Sequence, residues 1–200
     1  MGAERGMDQH IGRVLNASTT RFTVGCRVPL SALPTFGALA RVNAQGGRCQ
    51  VYGMIYNIYV DDDPLVRQLA SLSEPDEEVI QDQLRNRHIP VEINLLVVGH
   101  RLEGRILHSL PPQPPLSLDK VYLVGQAELV EFTSGFDYFR LVLAADEVPP
   151  EELLAAHLRL VAAARGAEGR GFLVEAGREL AWLLGRDLVL LDGVLRRIRP

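Results

Sequence analysis

Four prolines in five positions, Pro111, Pro112, Pro114 and Pro115, stand between two segments that read as strand. Ile106 and Leu107 lie before them, and Val121, Tyr122, Leu123 and Val124 after, all types that pack well on a pleated surface. Proline donates no ladder hydrogen bond and restricts the residue before it. The stretch therefore forbids a tight hairpin and imposes a stiff, exposed excursion. Its alternative use is as a PxxP ligand, which PPQPP formally fits, but a place between two core strands argues against that.

The residues before this stretch carry mostly strand and turn signals. IGRVLNAST leads through a polar turn into RFTVGCRVP, PTFGALARVNA follows, and GGRCQVYGMIYNIYV comes after the Gly46-Gly47 break. Short β segments bounded by Gly, Pro, Asn and Ser have the spacing of a barrel or sandwich. Gly53 inside the last run predicts a bulge or bend of the kind small barrels need for closure. Between Asp61 and Pro90 the period changes. Asp63 can cap a helix with Pro64 at its first position, and Ser73 with Pro75, Asp76 and Glu77 can start a second, whose Val79, Ile80 and Leu84 share a face. Strand pattern returns at PVEINLLVVGHRLEGRILHSL and, after the prolines, at DKVYLVG.

The remainder is richer in Ala and Leu. PPEELLAAHLRLVAAAR has prolines before its first turn, acids in it and arginine at its end, each of which suits a helix. GFLVEAGRELAWLLG is a second helix, with Gly185 as its stop. FDYFRLVLAAD fits helix through Phe136, Phe139, Val142 and Leu143 and strand through Phe139, Leu141 and Leu143; the helical pattern is preferred. RDLVLLDGVLRRIRP is open between an Asp192-Gly193 hairpin and a helical stripe of Leu188, Leu191, Leu195 and Ile198, and the helices upstream favour the stripe. The expected fold is thus α+β: a small closed β-barrel of about six strands over residues 10–125, with a helical insertion, then a helical region over 126–200.

Composition narrows the function. With 47% hydrophobic residues and mean hydropathy near zero, the chain is an ordinary globular protein. No window reaches the roughly 20 apolar residues of a membrane span and the start has no signal-like apolar stretch, so a cytoplasmic location without membrane is expected. The net charge of −4 argues against direct nucleic-acid binding, which needs concentrated Lys and Arg. Lys120 is the only lysine, and no glycine-rich loop precedes it, so the phosphate-binding G-x-x-x-x-G-K-[ST] motif is absent. GAEGRGF, Gly166 to Phe172, reads as a turn between helices. Charge is uneven: Asp61 to Asp82 holds eight acids against Arg67 alone.

Candidate chemistry is sparse. His100 and His108, eight apart in a strand region, can share a face, yet no carboxylate or cysteine converges on them by spacing. His10, His88 and His157 are scattered. Asp61, Asp62 and Asp63 read as a strand end and helix cap rather than as hard-cation ligands. Cys26 and Cys49 have no C-x-x-C spacing and read as small buried hydrophobes. No G-x-S-x-G elbow occurs. No catalytic, cofactor-binding or metal-binding residue is assigned, and no enzyme activity or cofactor is expected.

The order of features, with IGRV, GALARV, the glycine inside VYGMIYNIYV and PPQPPLSLDKVY, resembles the HAS-barrel, the small β-barrel at the N-termini of HerA-type DNA translocases and of ATP synthase subunits. The resemblance covers about residues 10–125, and the ATPase part of HerA-type proteins has no counterpart here. It implies that the prolines are a rim crossing delivering the last strand to the closing position. It also implies a role in assembly: a barrel that self-associates, or docks on a HerA-type ATPase or a NurA-type nuclease. A nucleic-acid-binding barrel using Arg196, Arg197 and Arg199 is the alternative. The helices carry apolar residues around more of their circumference than one packed face requires, so neighbouring helices or another chain must cover them. On that basis the full chain is expected to be at least dimeric, and truncation near Asp146 to leave a folded, monomeric barrel.

Overall fold

The computed structural model describes residues 9–29, 33–60, 71 and 88–199. Strands β1 (His10–Ala17), β2 (Arg21–Pro29), β3 (Leu39–Ala44), β4 (Cys49–Val60), β5 (His88–Leu102), β6 (Arg105–Leu107) and β7 (Lys120–Leu123) form one antiparallel sheet. β2 pairs with both β1 and β5, and β7 with both β1 and β3. The circuit β1-β2-β5-β4-β3-β7 therefore closes into a six-stranded barrel, with β6 appended to β5 as a hairpin. The hairpin turns through Glu103 and Gly104, both at positive φ. The helices expected around Asp63 and Ser73 lie outside the described residues.

The proline stretch does deliver the closing strand. It crosses from β6, at one edge of the β5 ladder, to β7, which fills the gap between β1 and β3. The expectation of an exposed excursion needs correction: Pro111 and Pro115 are buried, and only Pro112 of the four is fully exposed. Their rings pack on the molecule, so the crossing is held by contact as well as by the fixed φ of proline. The turn into β7 is pinned where Leu118 N–H donates to Val14 O (2.8 Å) and Leu116 N–H to Asp119 Oδ2 (2.9 Å).

Alternate residues fill the interior, among them Val14, Phe22, Val42, Val51, Ile55, Ile93, Leu95 and Val121, all nearly inaccessible. Gly53 sits where β4 shifts register against β5, as its place in the sequence predicts. A Cβ there would lie 2.7 Å from the Phe22 ring and 2.9 Å from Leu95 Cβ, so the close approach requires glycine.

Five helices follow: α1 (Gln126–Phe132), α2 (Phe139–Leu143), α3 (Pro150–Arg165), α4 (Gly169–Leu183) and α5 (Leu188–Ile198). α3 has proline in its first turn, Glu151 and Glu152 beside it and Arg165 in the last, as read. α5 settles the hairpin alternative: Asp187 caps it by accepting from Leu190 N–H at 3.0 Å, and Asp192 pairs with Arg196 one turn on. GAEGRGF begins as the short turn between α3 and α4.

The helices cover one outer wall of the barrel. Leu39, Tyr52, Met54, Leu96 and Val98 are buried in the same cluster as Phe132, Tyr138, Phe139, Leu153, Leu154 and Leu158. Strands β4 and β5 are thus buried on both faces, which explains why VYGMI and LLVV read as continuous apolar runs. The breadth of apolar coverage on α3 is accounted for inside the chain: Leu153, Leu154, Leu158 and Val161 are fully buried. A cut near Asp146 would remove α3 to α5 from this shared core, so the expectation of a self-sufficient truncated barrel does not fit the packing.

Candidate interaction surface

The polar side chains outside the barrel form a belt that ties α1 to the wall. Arg41 and Tyr52 are cross-strand partners on β3 and β4. Arg41 Nε donates to Glu128 Oε2 (3.0 Å), and Tyr52 Oη donates to Glu128 Oε1 (2.7 Å). Arg101 on β5 donates through Nε to Tyr52 Oη (3.0 Å) and through both terminal nitrogens to Glu131 (3.0 and 2.7 Å). Burial, above all, pushes the Tyr52 phenol up, so it stays a donor at neutral pH. The Arg101 fork holds Glu131 below the usual carboxylate range. A belt whose charges are matched in this way orients a helix; its groups are committed to each other.

The histidines singled out in the sequence do not meet at one centre. His100 Nδ1 is 3.0 Å from Ser109 O, and His108 Nε2 is 2.9 Å from Phe132 O, so each ring is tied to a different carbonyl. Burial lowers the pKa of His108. His157, only scattered in the sequence, turns out to join the two halves. Its Nδ1 lies 2.9 Å from Gly37 O, in the loop before β3, and its ring meets Tyr138 edge-on at 5.5 Å. Gly37 has φ of +82°, and a Cβ there would stand 2.8 Å from His157 N, so glycine allows α3 to sit against this loop. Complete burial pulls the His157 pKa down to about 4. Cys49 is buried and Cys26 half-buried; both are free thiols, and burial raises both pKa values. Among the described residues no three of His, Cys, Asp and Glu converge as metal ligands. Asp61, Asp62 and Asp63 lie outside the described residues. No helix among the described residues is long and apolar enough to cross a membrane.

Two surfaces are unlike the rest. At the barrel rim, Leu116 (67% exposed) and Leu118 (68%) stand beside Leu15, held there by Ser117 Oγ donating to Leu15 O at 3.1 Å. Leu118 has φ of +73°, a left-handed conformation that disfavours leucine. Two exposed leucines, one of them on a strained backbone, carry no folding advantage. Among the C-terminal helices, α4 and α5 enclose an open groove of about 480 Å³. Of the C-terminal arginines, Arg196 is paired with Asp192 (2.7 Å) and Arg197 with Glu152, whereas Arg199 lines the groove.

Comparison of the sequence with protein-family models and with curated proteins finds no match.

Proposed function

We propose that the chain is a non-enzymatic assembly module of the HAS-barrel kind, which self-associates and docks on a HerA-type ATPase or a NurA-type nuclease. The observation that carries this is the leucine rim. The proline crossing closes the barrel and in the same stroke presents Leu116 and Leu118 to solvent beside Leu15. Exposed leucine on a left-handed backbone is what a barrel-to-barrel contact would retain and folding alone would not. The solid interior supports a module that binds through its outside. The nucleic-acid alternative draws on Arg196, Arg197 and Arg199, of which Arg196 and Arg197 are committed to carboxylates of this chain.

The test is light scattering of the full chain across a concentration series. A mass above the 22.1 kDa of one chain is expected, rising with concentration. Leu116→Ser with Leu118→Asn should return it towards the monomer, since asparagine tolerates the left-handed backbone and the double variant keeps its fold. A mass of one chain at every concentration would overturn self-association.

A further inference from the structure

The groove between α4 and α5 has a floor of Leu173 and Val174 from one helix and Leu195 and Ile198 from the other. Val174 is half exposed, and Leu188 continues the same stripe two turns before Leu195, also exposed. Every charged residue of the lining is an arginine: Arg170, Arg178 and Arg199. None of the three has an ion-pair partner among the described residues. Elsewhere in the cap arginines are used within the chain. Arg165 binds Thr133 and the Val130 carbonyl, Arg197 binds Glu152, and Arg140 stacks on Trp182. The chain as a whole carries −4, so this groove concentrates positive charge against the sign of the molecule.

From this, and resting on the assembly-module reading above, we infer that the groove is the docking site for an acidic, amphipathic helix of a partner protein. An apolar trough between two helices takes the apolar stripe of a third, with anchors spaced at i, i+3, i+4 and i+7. Arginines along its edges then face the flanks of that helix, where carboxylates complete the pairing and exclude lysine-flanked competitors. Nucleic acid fits the groove poorly. The lining offers no aromatic ring on which bases could stack, and its floor gives a phosphate backbone nothing to bind.

The experiment uses the full chain and two labelled model peptides of equal length, one with a leucine stripe flanked by glutamate and one with lysine in place of glutamate. Fluorescence anisotropy should show the acidic peptide binding at least roughly tenfold tighter, which corresponds to 1.4 kcal/mol. Val174→Asp, at a half-exposed position, should weaken it by a similar factor. Arg170→Glu with Arg178→Glu should invert the preference towards the lysine peptide. Equal binding of the two peptides, or a preference that survives charge reversal, overturns the inference. So does tighter binding of a single-stranded oligonucleotide lost on the same reversal, which would make the arginines a phosphate surface. A fall in the mass of the chain alone on charge reversal would make the occupant a second copy and overturn it too. None of these variants touches the leucine rim, so a chain that still self-associates while binding no acidic peptide keeps the assembly reading and loses only the groove.

Discussion

His157 shows how much one side chain can couple in this fold. Its ring is wholly buried between the loop at Gly37 and Tyr138, and its pKa falls to about 4 because the charged form has no solvent. In the unfolded chain histidine titrates near 6.5, so below that pH the unfolded state binds the extra proton. The contribution is therefore complete above about pH 6.5 and lost as pH falls towards 4, on the order of 3 kcal/mol across that window. His108, also lowered by burial, acts in the same sense. Urea unfolding at pH 7 and pH 5 should show lower stability at pH 5. A His157→Gln variant should show a smaller difference between the two pH values, and an unchanged difference would remove His157 as the cause. Gly53 was legible in the sequence, as a glycine interrupting a strand pattern. Its substitution by alanine should cost roughly 1–3 kcal/mol in chemical denaturation, because Phe22 and Leu95 would have to move. His157 was not legible, because its partner is a backbone carbonyl 120 positions away and carries no sequence signal.

The strands and helices themselves could be read from pattern because their constraints are local. Proline content predicted an excursion between two strands, and the apolar stripe of Leu188, Leu191, Leu195 and Ile198, with helices upstream, favoured a helix where Asp192-Gly193 suggested a turn. What local pattern conceals is which sheet face a helix will cover. VYGMI and LLVV lack the alternation of a strand with one wet face, and that continuity was the available sign that something packs outside β4 and β5. The belt of Arg41, Tyr52, Arg101, Glu128 and Glu131 was hidden for a different reason: its members come from three strands and a helix, up to 90 positions apart, and only the register brings them together. Because the wall and the helices share a core, truncation after Asp146 should give a chain that aggregates or unfolds well below the temperature of the full chain. Circular dichroism and light scattering would show it. A soluble, cooperatively folding fragment of residues 1–146 would mean that the barrel needs no cap.

At the scale of the molecule, the barrel and its cap each carry one unusual surface. The leucine rim is apolar and formed by the strand closure, so it belongs to the barrel itself. The groove is apolar with an arginine edge and formed by the last two helices, so it belongs to the cap. Under the proposed role the rim would meet a second copy and the groove a different protein. Neither surface could be assigned from sequence, because exposure of a leucine or an arginine is decided by tertiary packing. The most direct measurement is sedimentation velocity of the full chain mixed with the HerA-type ATPase or NurA-type nuclease of the same organism. The proposed assembly role predicts a species that sediments faster than either component, at a ratio fixed by saturation. Components that sediment independently of both candidates at every concentration would contradict it.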